Sequence, residues 1–141
     1  MLSTVPAIFL LKPARRRPNL TVVANALSGG VDSSTVTLLG HRALGDKLKT
    51  VFIENGLMRE GEADRVVALF RKLGVTVEVV EARDEFGAAL RGITDPEEKR
   101  EAVTQTFYKE VFGRLVRESG AKHLLQGTIL TDVDETVAGI K

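Results

Sequence analysis

The sequence predicts an α/β protein, a three-layer α/β/α domain with a doubly wound parallel sheet of about four to five strands. Three observations carry this. Short, β-branched apolar runs alternate with segments whose apolar residues recur at helical spacing. Most of the helical segments end on a glycine. The densest cluster of glycine and hydroxyl residues falls directly between the first run and the first helix, where such a sheet places its ligands.

The first run is Thr21–Leu27, read as a buried strand that stops at a glycine pair. Residues 33–44 follow as a helix, with Val36, Leu39, Ala43 and Leu44 on one face and Gly45 as its stop. Lys49–Glu54 is the second strand, closed by Asn55-Gly56. Residues 62–73 form the second helix, whose face is Ala63, Val66, Val67, Phe70 and Leu73, with Gly74 ending it. Val75–Val80 is the third strand, and residues 84–91 suit a short helix. A long helix starts at Asp95, with Pro96 in its first turn and Glu98 placed as in a capping box. Val103, Phe107, Val111 and Leu115 are its apolar stripe and Gly120 its end. Lys122–Gln126 is the fourth strand.

With 141 residues the chain suits one domain, which buries roughly two-thirds of its unfolded surface. Apolar residues make up 43% and charged residues 28%, the balance of a globular protein. The net charge of +1 lacks the basic excess of a nucleic-acid-binding domain. It also hides a split, because residues 1–19 carry +4 from Lys12, Arg15, Arg16 and Arg17 and the remainder carries −3. Residues 1–19 read as a basic extension in which Pro6, Pro13 and Pro18 break regular structure, and residues 20–141 read as the folded domain. With no cysteine there is no disulfide, thiolate metal site or cysteine nucleophile in these residues. No apolar run approaches about 18 residues, so no membrane partner and a cytoplasmic location are expected. His41 and His123 fall in no metal-ligand or triad spacing and are given no chemistry.

The cluster that carries chemistry is Ser28-Gly29-Gly30-Val31-Asp32-Ser33-Ser34. A helix N-terminus offers unpaired N–H groups and partial positive charge, which suit phosphate. Gly29 and Gly30 let the backbone come close to an anion, and the three serines supply hydroxyl donors. Asp32 does not favour bare phosphate and is assigned to a Mg²⁺ that bridges the anion. The competing explanation is a glycine turn whose serines merely cap the helix. By fold geometry Glu54, Asn55 and Gly56, at the end of the second strand, face an adenosine.

The loop resembles the signature loop of the N-type ATP pyrophosphatases, which split ATP into AMP and pyrophosphate to adenylate an acceptor. The resemblance implies an adenine nucleotide alpha hydrolase-like fold and a loop that grips pyrophosphate through Ser28, Gly29, Gly30, Val31, Asp32, Ser33 and Ser34. Residues 51–59 (VFIENGLMR) and 92–100 (GITDPEEKR), with Gln126-Gly127-Thr128-Ile129, are similar to segments of the GMP synthase branch. The resemblance adds Gly127 and Thr128 to the nucleotide site, with Asp32 and Lys141 in the catalytic role. It implies ATP and Mg²⁺ as cofactors, a nucleotide or small-molecule acceptor, and ammonia from a separate glutaminase. The family's dimerisation domain has no counterpart in these residues, and the end at Lys141 is read as that of a fragment. After residue 129 the pattern diverges, and Thr104-Gln105-Thr106-Phe107 stands where the family has Gly-Arg-Thr-Phe. Two alternatives follow: another acceptor, such as a tRNA or modified base, or a non-catalytic ATP-binding fragment.

Overall fold

The computed structural model of the chain describes residues 3–6 and 22–127. It contains one parallel sheet of five strands: β1 (Ser3–Pro6), β2 (Val23–Ala26), β3 (Leu48–Glu54), β4 (Val77–Glu81) and β5 (His123–Gln126). Their spatial order is β1-β5-β2-β3-β4. Neighbours are in register at Val23 opposite Leu48, Val23 opposite His123, and Thr50 opposite Val77.

Helices α1 (Val31–Leu44) and α2 (Glu62–Lys72) connect β2 to β3 and β3 to β4. They cover one face, where Phe52, Phe70 and Val77 pack in one cluster and Val23, Val36, Leu48 and Leu125 in another. The connection from β4 back to β5 covers the other face. It comprises α3 (Arg83–Leu90), α4 (Pro96–Gln105), a π-helical turn (Thr106–Phe112) and α5 (Gly113–Ser119). Its core holds Val51, Ile53, Phe86, Val111, Phe112 and Val116. Arg114 of α5 ties this layer together by donating to Glu85 of α3 at 2.7 Å, and that carboxylate's hydrogen bond and charge raise the guanidinium pKa.

The three-layer parallel fold and the order of elements expected from the sequence are present. Helix α1 starts two residues earlier than the apolar spacing indicates, at Val31, because the loop residues themselves form its first turn. The cap expected at Asp95 forms, with its Oδ1 accepting from the N–H groups of Glu97 and Glu98 at 2.9 and 3.0 Å.

Two features differ from expectation. Ser3–Pro6, within the segment read as an extension, pairs with β5 as an edge strand, Pro6 lying opposite Gln126. Pro6 is tolerated there because the last residue of an edge strand can do without an N–H. Lys12, Arg15, Arg16 and Arg17 lie outside the described residues. The single long helix is instead interrupted by the π-helical turn, whose wider winding brings Phe112 into the core beside Val111.

Gly40 lets α1 lie directly on the sheet. A Cβ there would overlap Leu125 Cδ2 and stand 3.0 Å from Leu48 Cδ2. Gly40→Ala is therefore expected to lower stability by about 1–3 kcal/mol through overpacking, despite alanine's better helix propensity. Urea unfolding of the two proteins checks this, and a stabilised variant would contradict it.

Candidate nucleotide site

Strand β2 runs into α1 on one face of the sheet, whereas β5 is entered from the opposite face. The carboxyl ends of these adjacent strands therefore form the topological switch point, where open α/β sheets bind ligands. A cavity of about 290 Å³ opens there. Ser28, Gly30, Val31, Asp32 and Ser33 form one wall, Phe107, Tyr108 and Phe112 the opposite wall, and Leu124–Gly127 the β5 side.

The loop is built around its two inward serines. Ser28 Oγ and Ser33 Oγ are 2.8 Å apart, and Ser33 Oγ donates to the Gly30 carbonyl at 3.2 Å. Ser28 Oγ then donates to Ser33 and accepts from the Gly30 N–H at 3.4 Å. The Ser28 N–H also donates to Ser33 Oγ, at 3.3 Å. These bonds close the loop on itself and do not cap the helix. Gly30 is the N-cap residue, and no side chain caps α1. That argues against the serines as simple helix caps, and it leaves the first-turn N–H groups for an anion.

A buried relay holds the loop to the sheet. Asn25 in β2 donates from Nδ2 to Thr37 Oγ1 at 2.7 Å, and Thr37 donates to the Ser33 carbonyl at 2.7 Å. Asn25 and Thr37 are both buried. Gly29 (φ +82°) makes the turn, and its Cα faces Val66 and Phe52, so it packs on the α2 side and does not line the cavity. Gly127 meets the start of α1 so closely that a Cβ would stand 3.1 Å from the Asp32 carbonyl carbon and oxygen and from the Ser33 nitrogen.

Asp32 is exposed at the cavity wall. Ser34 does not line the cavity, and its N–H makes the first helical bond, to the Gly30 carbonyl at 3.0 Å. Glu54, Asn55 and Gly56 stand at the carboxyl end of β3, and none of them lines the cavity. Glu54 is buried, and its Oε1 accepts the Gly56 N–H at 2.9 Å, with Arg83 Nε 3.9 Å away. Asn55 Oδ1 accepts the Leu57 N–H at 2.9 Å. Their polar groups thus satisfy their own turn. Arg100 is paired with Glu97 on α4 at 3.1 Å. Thr128 and Lys141 lie outside the described residues.

Sequence reasoning did not single out Asn25, Thr37 or Tyr108 for the site. The available signal for Asn25 was an amide inside an otherwise apolar strand run, which needs a buried partner.

The architecture and site define a parallel α/β domain whose glycine–serine loop meets an open cavity at the switch point. The chain belongs to the NAD synthase family, whose model matches residues 9–111. It is 45% identical to a glutamine-hydrolyzing GMP synthase subunit of Archaeoglobus fulgidus over 131 residues, which cover 93% of this chain and 42% of that protein. It is 52% identical to the corresponding GMP synthase subunit of Methanoregula boonei over 119 residues, 84% of this chain and 38% of that protein. The chain thus spans about two-fifths of the length of these relatives. The fold matches the glutamine-dependent NAD+ synthetase of Acinetobacter baumannii solved with ADP (TM-score 0.66, 17% identity, 89% of this chain and 24% of that one). It also matches the NH3-dependent NAD synthetase of Campylobacter jejuni solved with a nitrate ion (TM-score 0.67, 15% identity, 96% of this chain and 57% of that one). The resemblance carried by NGLMR and TDPEEKR is borne out by the GMP synthase relatives. No described helix is long and apolar enough to cross a membrane.

The relay gives a stability prediction. Thr37→Val keeps the shape but leaves the buried Asn25 amide without its acceptor, at a cost of about 1–3 kcal/mol, while the Ser33 carbonyl keeps the α1 backbone bond from residue 37. Denaturant unfolding reads this loss, and an unchanged midpoint would show that the relay contributes nothing.

Proposed function

We propose that the chain is the ATP-pyrophosphatase part of a GMP synthase-type ligase, which adenylates an acceptor and releases pyrophosphate. The observation that carries this reading is the uncapped first turn of α1 at the switch-point cavity, with Ser28, Ser33 and exposed Asp32 on the same wall. The identity of 45–52% to the GMP synthase subunits, against 15–17% to the NAD synthetases of like fold, supports xanthosine monophosphate as the acceptor.

In this reading the N–H groups of Val31, Asp32 and Ser33 bind the β- and γ-phosphates, and the Ser28 and Ser33 hydroxyls turn from each other to the phosphate oxygens. An acceptor oxygen attacks the α-phosphorus, the bond from that phosphorus to the bridging oxygen breaks, and pyrophosphate leaves with the electron pair. Ammonia then displaces AMP from the activated acceptor. The protein's contribution is positioning together with stabilisation of charge on the leaving pyrophosphate.

Mg²⁺ fits the donor set in one way. Asp32 is the carboxylate at the loop, and the described residues contain no group of three or more acidic or histidine side chains placed to hold a metal. Asp32 would supply such a cation with one carboxylate, which suits Mg²⁺, an ion usually held through one or two carboxylates. When bound it neutralises the leaving pyrophosphate. Thr128 and Lys141 belong to the same proposal as further phosphate contacts, and Glu54–Gly56 as neighbours of the adenosine. The relatives are subunits of a glutamine-hydrolyzing enzyme, which supports a separate glutaminase that supplies ammonia. A cytoplasmic location is part of the same proposal.

Calorimetry of ATP binding across a Mg²⁺ titration tests the assignment. Wild-type affinity should rise with Mg²⁺, and Asp32→Ala should remove that dependence with a loss of about tenfold or more. Binding by Asp32→Ala that equals wild type at every Mg²⁺ concentration would overturn it.

A further inference from the structure

The turn at the carboxyl end of β3 contains a chemically labile pair. Asn55 is the only asparagine of the chain that is followed by glycine. Asparagine is among the thermolabile residues, and a following glycine leaves its side-chain amide least hindered to attack by the next backbone nitrogen. In that reaction the Gly56 nitrogen gives up its proton and bonds to Asn55 Cγ. The Cγ–Nδ2 bond breaks, ammonia leaves with the proton, and a succinimide ring remains. Water then opens the ring to aspartate or isoaspartate.

The turn needs both residues. Gly56 has φ +77°, a left-handed conformation that strains a residue with a Cβ, and such a Cβ would also stand 3.4 Å from Arg83 Cγ. Asn55 satisfies the turn by accepting the Leu57 N–H on Oδ1 at 2.9 Å. A more durable pair would therefore come at the expense of the turn. The site is also open to water, since Gly56 is exposed and Asn55 half-buried.

The attacking nitrogen is the one that Glu54 holds. The Gly56 N–H donates to Glu54 Oε1 at 2.9 Å. Glu54 is itself fixed, being 6% exposed, with its backbone carbonyl accepting the Ala82 N–H at 2.9 Å. A nitrogen whose proton is held in the peptide plane cannot shed it and turn its lone pair on Cγ until that bond opens. The bond from Leu57 restrains the other reactant, the Asn55 side chain, at the same time.

We propose that Asn55 is a deamidation site and that the buried Glu54 carboxylate suppresses the reaction by holding the Gly56 N–H. Conversion to isoaspartate would lengthen the backbone by a carbon at the carboxyl edge of the sheet, where such folds bind ligands, so the suppression preserves that edge.

Ageing the full chain in neutral buffer, with peptide mass spectrometry at Asn55, tests this. The folded protein should convert about tenfold or more slowly than the chain in denaturing urea, the scale of one hydrogen bond to a charged group. Glu54→Ala should remove most of that protection, whereas Glu54→Gln, which keeps an acceptor oxygen, should stay close to wild type. Thr37→Val loosens the fold away from this turn, and its Asn55 should convert at the wild-type rate. Amide hydrogen exchange on the wild-type chain adds a readout that needs no variant: the Gly56 N–H should exchange slowly, and this decides the matter if Glu54→Ala does not fold. Any of four results overturns the proposal: a folded wild-type rate equal to that in urea, a folded Glu54→Ala no faster than wild type, equal acceleration by Thr37→Val, or unprotected exchange at Gly56.

Discussion

The hydrogen-bonded path from Asn25 through Thr37 to the Ser33 carbonyl is the constraint on which the site depends. It ties the start of α1 to the centre of the sheet, at the point where the strand order reverses between β2 and β5. An amide and a hydroxyl in a core are costly unless paired, and here each has a partner. Beside this path lie the close approach of Gly127 to Asp32 and Ser33, the self-bonded serines and the uncapped N–H groups at the cavity.

The loop satisfies its own hydroxyl groups. Ser28 directs its hydroxyl hydrogen to Ser33, and Ser33 directs its own to the Gly30 carbonyl. These are weak, exposed bonds, several at 3.2–3.4 Å, and an anion that accepts the same hydrogens replaces them at little cost. The −3 net charge of residues 20–141 does not prevent this, because recognition is set by a few oriented dipoles close to the ligand and exposed charges farther away are screened.

The order of elements was legible because each strand run is short and β-branched and because helices ending at Gly45, Gly74 and Gly120 announce their stops. The loop was legible because Gly29 sits where positive φ is needed and because serines and an aspartate crowd one helix start. What was not legible depends on distant partners. Nothing local tells that Asn25 meets Thr37, or that Ser3–Pro6 finds a partner as far along the chain as His123–Gln126. The π-helical turn was hidden because the stripe Val103, Phe107, Val111, Leu115 suits an ordinary helix. Only the contact between Gly113 and the Tyr108 carbonyl shows why the winding changes. For Glu54, position at a strand end points to a ligand, and nothing local tells that its carboxylate is buried and accepts the Gly56 N–H of its own turn.

The central claim is that the first turn of α1 and the end of β5 form one polyphosphate site. Backbone amide chemical shifts during a titration with inorganic pyrophosphate and Mg²⁺ test it most directly. The account predicts saturable changes concentrated at Gly30, Val31, Asp32, Ser33 and Gly127, with the amides of α2 and β4 unmoved. Saturable changes centred elsewhere, or none at these five residues, would contradict it.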